Sequence, residues 1–140
     1  MKLNFDHLQR CSLTLERSLQ SLAKAEAASV DYEVFLNAVI KSFELTLETA
    51  GKLLRKVLKE YVGSPKTVDA LVFKDVLRRH AAVHGLLSAE ELERWLVYRD
   101  SRNDTAHNYG EEFAEHTLRL ITEFQRDALA LYQTLCQKHG

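Results

Sequence analysis

Helix-interrupting residues are scarce and widely spaced in this chain: one proline (Pro65) and five glycines (Gly51, Gly63, Gly85, Gly110 and Gly140) punctuate 140 residues. Between them, apolar side chains recur every three to four positions, the period of an amphipathic helix rather than the alternation of a strand. The longest run starts at Asp31, read as an N-cap, and continues through Phe35, Val39, Phe43, Leu47, Ala50, Leu54, Val57 and Tyr61 to a stop at Gly63. That is about thirty residues, or about 45 Å at 1.5 Å per residue, longer than most globular helices. A spine of that length requires other helices to cover it.

The remaining punctuation gives five helices in all. The first spans roughly Phe5 to Ala28, with Leu8, Cys11, Leu15, Leu19 and Leu22 on one face and Arg10, Glu16, Arg17 and Lys24 opposite. Ser64-Pro65 opens a third by N-cap and N1 preference, with Val68, Leu71, Val72, Val76 and Leu77 facing inward until Gly85. Ser88-Ala89-Glu90-Glu91 is a capping box that starts a fourth, carrying Leu92, Trp95, Leu96 and Arg99 toward Gly110. A fifth runs from about Glu111 to Gln137 on Phe113, Thr117, Leu120, Ile121, Phe124, Ala128, Leu131 and Leu135. Gly51, inside the spine, costs roughly 1 kcal/mol of helix propensity against alanine, which makes sense where another backbone comes close. The expected fold is all-α, an up-and-down helical bundle, with residues 1–140 forming one domain.

Apolar residues make up 46% of the chain and charged residues 28%, enough hydrophobic surface to offset the entropy of ordering. The formal net charge of -1 argues against whole-surface attraction to nucleic acid, so any polyanion must be met locally. Residues 1–10 have no signal-peptide character, and no apolar run is long enough for a membrane span, so a cytoplasmic location is expected. Cys11 and Cys136 belong to no Cys-x-x-Cys pair and read as reduced, partly buried thiols.

One stretch carries chemistry: Arg102-Asn103-Asp104-Thr105-Ala106-His107-Asn108-Tyr109. It combines a permanent guanidinium, an imidazole and a phenol near a helix end. On an ideal helix Arg102 and His107 point about 140° apart, so convergence needs a loosened helix near Gly110, a wrapping arginine, or a second copy facing the first across a two-fold axis. A cleft made that way would suit RNA cleavage without a metal. The imidazole accepts the 2′-hydroxyl proton, and the guanidinium stabilises the extra charge on the phosphorane. The plainer alternative pairs Arg102 with Asp100, Asp104 or Glu111 on a solvated helix end, while His107 caps that helix.

The Arg-x4-His-x-Tyr pattern from Arg102 to Tyr109 resembles the motif of HEPN proteins, particularly the toxin partners of minimal nucleotidyltransferases, also called nucleotidyltransferase substrate-binding proteins. Phe43-Glu44 with Glu48, the stretch from Val76 to Leu87, Trp95, and Arg102-Asn103 followed by His107 stand in that family's order, so the resemblance covers roughly Val34 to Leu135. It implies a homodimeric, HEPN-like helical domain acting as the toxin of a type II/VII-like toxin–antitoxin pair. The implied activity is a metal-independent endoribonuclease, with Arg102 and His107 catalytic in a composite site at the dimer interface and Asn103 and Asp104 supporting them. It further implies a minimal nucleotidyltransferase antitoxin that neutralises the toxin by adenylylation of Tyr109, adding bulk and negative charge beside Arg102. The alternative is a non-catalytic substrate-binding subunit of a minimal nucleotidyltransferase complex. Neither reading calls for a cofactor or a membrane.

Other candidates read as scaffold. His80 and His84 have an i, i+4 spacing that can bind zinc with His107, His116, Glu112 or Glu115, but the paired Glu-x-x-His motifs of di-iron bundles are absent and no metal is expected. Lys52, Arg55, Lys56, Lys59, Lys66, Lys74, Arg78 and Arg79 read as a solvated basic face that can assist a nearby site. Glu44 and Glu48 share a helix face and are expected to pair with Lys41, Lys52 or Arg102. Trp95 and Phe124 are expected in the core.

Overall fold

The computed structural model describes residues 3–61, 64–82, 84–105 and 111–139; the side chains at 81–82, 103–105 and 111–115 lie outside the described set. Among the described residues six helices follow one another: α1 (Asp6–Lys24), α2 (Val30–Tyr61), α3 (Pro65–Asp69), α4 (Phe73–Ala82), α5 (Ala89–Thr105) and α6 (Glu111–His139). No strand occurs among the described residues. The fold is all-α, as the periodicity predicts. α2 is the spine: α1, α3, α4, α5 and α6 all pack on it, and α1 and α5 also meet α6.

The helix ends follow local chemistry, with a few departures from the sequence reading: α1 ends at Lys24 rather than near Ala28, where Ala25 turns extended. α2 starts at Val30 and is capped by Ser29, not Asp31: the Tyr32 N–H donates to Ser29 Oγ at 3.0 Å. Ser29 can take this role because Ala28 turns the chain with φ 62, a left-handed conformation unusual outside glycine. The expected third helix is two helices, α3 and α4, broken at Ala70–Val72, so six helices stand among the described residues where five were expected. Arg55 explains the break, since its Nη1 donates to the carbonyls of Val68 and Leu71 at 2.8 and 2.7 Å and satisfies the end of α3 from across the bundle. Val72, expected inside, is 63% exposed at this turn.

Gly63 and Gly110, read as stops, lie outside the described residues; three other signals act as read. Pro65 sits in the first turn of α3. The Ser88 and Glu91 side chains each accept the other residue's N–H, at 3.1 and 3.0 Å, closing the capping box of α5. Gly85 takes φ 63 while the Leu86 N–H returns to the His80 carbonyl at 3.0 Å, a six-to-one closure beyond α4.

The core runs along α2: Val39, Phe43, Leu47, Ala50, Leu54, Val57 and Leu58 meet Leu8, Leu15 and Leu22 of α1 and Ile121, Phe124, Ala128, Leu131 and Leu135 of α6. Trp95, Tyr98, Phe124 and Phe43 form an edge-to-face knot with ring centroids 4.9 to 5.8 Å apart. Cys11 is buried beside His7 and Thr49, whereas Cys136 is exposed rather than partly buried; both are free thiols. No described helix is long and apolar enough to cross a membrane.

Candidate functional site

Arg102 lies in the last turn of α5, where the helix passes over the middle of α2. It borders a solvent-reachable hollow of about 190 Å³, lined by Leu47, Glu48, Gly51, Lys52 and Arg55 of α2, Phe73 of α4, and Arg99 and Arg102 of α5. Among the described residues, four cationic side chains and one carboxylate line this hollow, in a chain whose overall charge is near zero. A polyanion arriving here meets locally concentrated positive charge.

Electrostatics tie Arg102 to α2. Glu48 and Lys52 form an i, i+4 ion pair at 3.2 Å, and the Glu48 carboxyl is held below its ordinary pKa first by that Lys52 contact and further by the field of Arg102. The expected pairing of Glu48 with lysine is therefore present, with the motif arginine close enough to be felt. Arg55 is anchored by two neutral carbonyls, which position its guanidinium without cancelling its charge.

Of the other motif residues, Asn103 and Asp104 continue α5 in backbone, and their side chains lie outside the described set. His107 and Tyr109 lie outside the described residues altogether. The geometry thus bears on the guanidinium of the motif and its surroundings.

Sequence assigns no functional role to the hollow residues Phe73, Arg99 or, in this role, Gly51. Gly51 does receive a close neighbour, but the neighbour is the Phe73 ring rather than a backbone; a Cβ at residue 51 would stand 2.5 Å from Phe73 Cε2. The signal for Arg99 was present as an i, i+3 partner of Arg102 on one helix face. Nothing in the sequence near Phe73 announces its contact with α2, because the turn that delivers it is set by Arg55.

Much of the remaining basic region is neutralised. Lys59 pairs with Asp69 at 2.7 Å, Lys74 with Asp100 at 2.9 Å and Arg78 with Asp75 at 3.0 Å. His80 is buried, with Nε2 hydrogen-bonded to the Leu54 carbonyl at 2.7 Å, and His84 stacks on Tyr61 at 4.0 Å. A larger hollow of about 470 Å³ lies between α5 and α6, but Glu90, Glu93 and Glu123 line it beside Arg94, Val97, Tyr98 and Leu120. Its carboxylates repel a phosphate, so charge rather than size assigns the candidate site to the α2–α5 hollow.

The chain is similar to known proteins over nearly its whole length. A Haemophilus influenzae protein named "Probable ribonuclease HepT" is 27% identical over 142 residues, covering 99% of this chain and 95% of that one. A solved Haemophilus influenzae structure, described as revealing the fold of a substrate-binding domain of a nucleotidyltransferase, superposes with a TM-score of 0.81 at 24% identity, over 94% of this chain and 98% of that one. The family model described as "Nucleotidyltransferase substrate binding protein like" matches residues 3–137. This chain belongs to the nucleotidyltransferase substrate-binding protein-like family.

Proposed function

We propose that this protein is an HEPN-type toxin, a metal-independent endoribonuclease whose site is completed when two copies bring their motif helices together. The observation that carries the reading is Arg102 at the edge of an open hollow of concentrated positive charge, in a chain similar to a probable ribonuclease. In this mechanism His107 accepts the proton of a ribose 2′-hydroxyl, whose oxygen attacks the adjacent phosphorus. Arg102 holds the phosphate and stabilises the charge that accumulates on its oxygens. The 5′-oxygen leaves with a proton supplied by the second copy's imidazole, giving a 2′,3′-cyclic phosphate and a free 5′-hydroxyl. Asn103 and Asp104 orient the two principal groups.

A minimal nucleotidyltransferase partner acts as the antitoxin. Transfer of AMP to Tyr109 places a bulky anion beside Arg102, where the RNA phosphate must sit, and the site is switched off. The family description favours a second reading, a binding subunit that presents Tyr109 or the hollow to a nucleotidyltransferase without cutting RNA.

Expression without the partner separates the two. Wild type is expected to arrest growth and cut RNA in vitro, while Arg102→Ala and His107→Ala lose cleavage by about 100-fold or more with their helical content and dimerisation retained. Wild type and both variants being equally harmless and equally inactive on RNA would leave only the binding-subunit reading. Intact-mass measurement after co-expression with the partner is expected to show the gain of an adenylyl group on wild type and none on Tyr109→Phe.

A further inference from the structure

Beside the motif, the hollow holds a stack of three groups the motif does not include. Gly51 lets the Phe73 ring lie against the α2 backbone, since any Cβ there would collide with the ring edge. The Arg99 guanidinium stands over that ring, with Cζ 5.9 Å from its centroid, where the ring quadrupole attracts a cation. Arg99 precedes Arg102 by one helical turn, so the two side chains start about 5–6 Å apart on the same face of α5, and both border the hollow. That reach is comparable with the separation of neighbouring phosphates along an extended strand. At about 190 Å³ the hollow is smaller than the roughly 300 Å³ where enclosing ligand pockets begin. It suits backbone phosphates with the bases left outside.

We propose that Arg99, seated on Phe73 above Gly51, is a second phosphate-binding residue that holds the phosphodiester next to the one at Arg102 on single-stranded RNA. The inference rests on the ribonuclease reading and extends it: the hollow grips the backbone without reading base edges, so its contribution is independent of sequence. Glu48 lies in the same hollow, and its ion pair with Lys52 directs that carboxylate toward a lysine.

The test is binding of a fluorescent single-stranded RNA to the His107→Ala chain across a potassium chloride series. Arg99→Met, which keeps an aliphatic stem on Phe73, and Arg99→Gln as a second charge-free variant are expected to reduce the slope of log affinity against log salt by about 0.7, the share of one phosphate contact on a single strand. The reduction is expected to be the same for oligonucleotides of different sequence, and Arg99→Lys restores the slope. With His107 intact, Arg99→Met raises KM several-fold more than it lowers kcat. The inference is overturned if either charge-free variant melts like wild type yet keeps the wild-type slope and KM, or if Arg99→Lys loses the slope as fully as Arg99→Met. A wild-type chain that neither binds nor cuts RNA overturns the ribonuclease reading itself, an outcome distinct from wild type cutting RNA while the Arg99 variants match it.

Discussion

Gly51 shows how one missing side chain shapes both stability and site. Alanine would gain about 1 kcal/mol of helix propensity, but its Cβ would meet Phe73 Cε2 at 2.5 Å and Cδ2 at 3.0 Å. Displacing a half-buried ring outweighs the gain, so Gly51→Ala is expected to destabilise by about 1 kcal/mol in urea unfolding. Phe73→Leu in the same chain is expected to recover part of that loss, as a double-mutant cycle would show. Ala28 presents the reverse case. Its φ of 62 is costly for any residue with a Cβ, so Ala28→Gly is expected to stabilise by about 0.5 kcal/mol after the added freedom of the unfolded chain is offset. His80 links stability to pH. Burial pushes its pKa down to about 4, with the Leu54 hydrogen bond partly opposing and the His84 and His139 charges adding to the fall. The unfolded chain, with an ordinary value of 6.5, binds the proton that the folded chain excludes between those two values. Stability is therefore full above pH 6.5 and falls as pH drops through that window, by up to about 3 kcal/mol from this residue. Urea midpoints of wild type and His80→Gln measured from pH 7 to pH 4 are expected to converge as pH falls.

At the level of elements, α5 is fastened to α6 by a polar clasp inside the aromatic knot. Asp127 of α6 accepts from Tyr98 Oη and from Arg94 Nε and Nη2, the arginine contacts at 2.8 and 3.0 Å. Burial, followed by the bond to Asp127, raises the Tyr98 pKa, so the phenol stays protonated and donates. Removing the shared acceptor leaves the Tyr98 hydroxyl buried without a partner, so Asp127→Ala is expected to cost about 2 kcal/mol or more in urea unfolding. Arg94→Ala is expected to cost less, because its side chain remains 36% exposed. The clasp also fixes the helix that carries Arg99 and Arg102. The element that sequence misjudged, the helix that breaks into α3 and α4, failed for a definite reason. Neither glycine nor proline stands at residues 70–72, and the carbonyls released there are satisfied by Arg55, thirteen residues before Val68. Capping by a distant side chain leaves no local trace, whereas the Ser88–Glu91 box, which is local, was legible from sequence alone.

For the molecule as a whole, the described residues of the α2–α5 hollow gather positive charge in a chain whose net charge is near zero, and this is where the proposed RNA site lies. Composition and periodicity determined the all-helical class, the long spine, most of the core face and the motif carrying Arg102, because helical period, caps and glycine stops act within a few residues. Local rules also offered Lys52 as one of three partners for Glu44 and Glu48, and the structure pairs it with Glu48, i, i+4 on one helix. Only tertiary structure decided that Arg99 and Arg102 of α5, Arg55 of α2 and Phe73 of α4 border one hollow, that Val72 points to solvent, and that Asp127 is shared by Tyr98 and Arg94. These contacts join residues distant in sequence, and they depend on the angles at which helices cross and on which side chain reaches a neighbouring helix end. A short-range period contains neither.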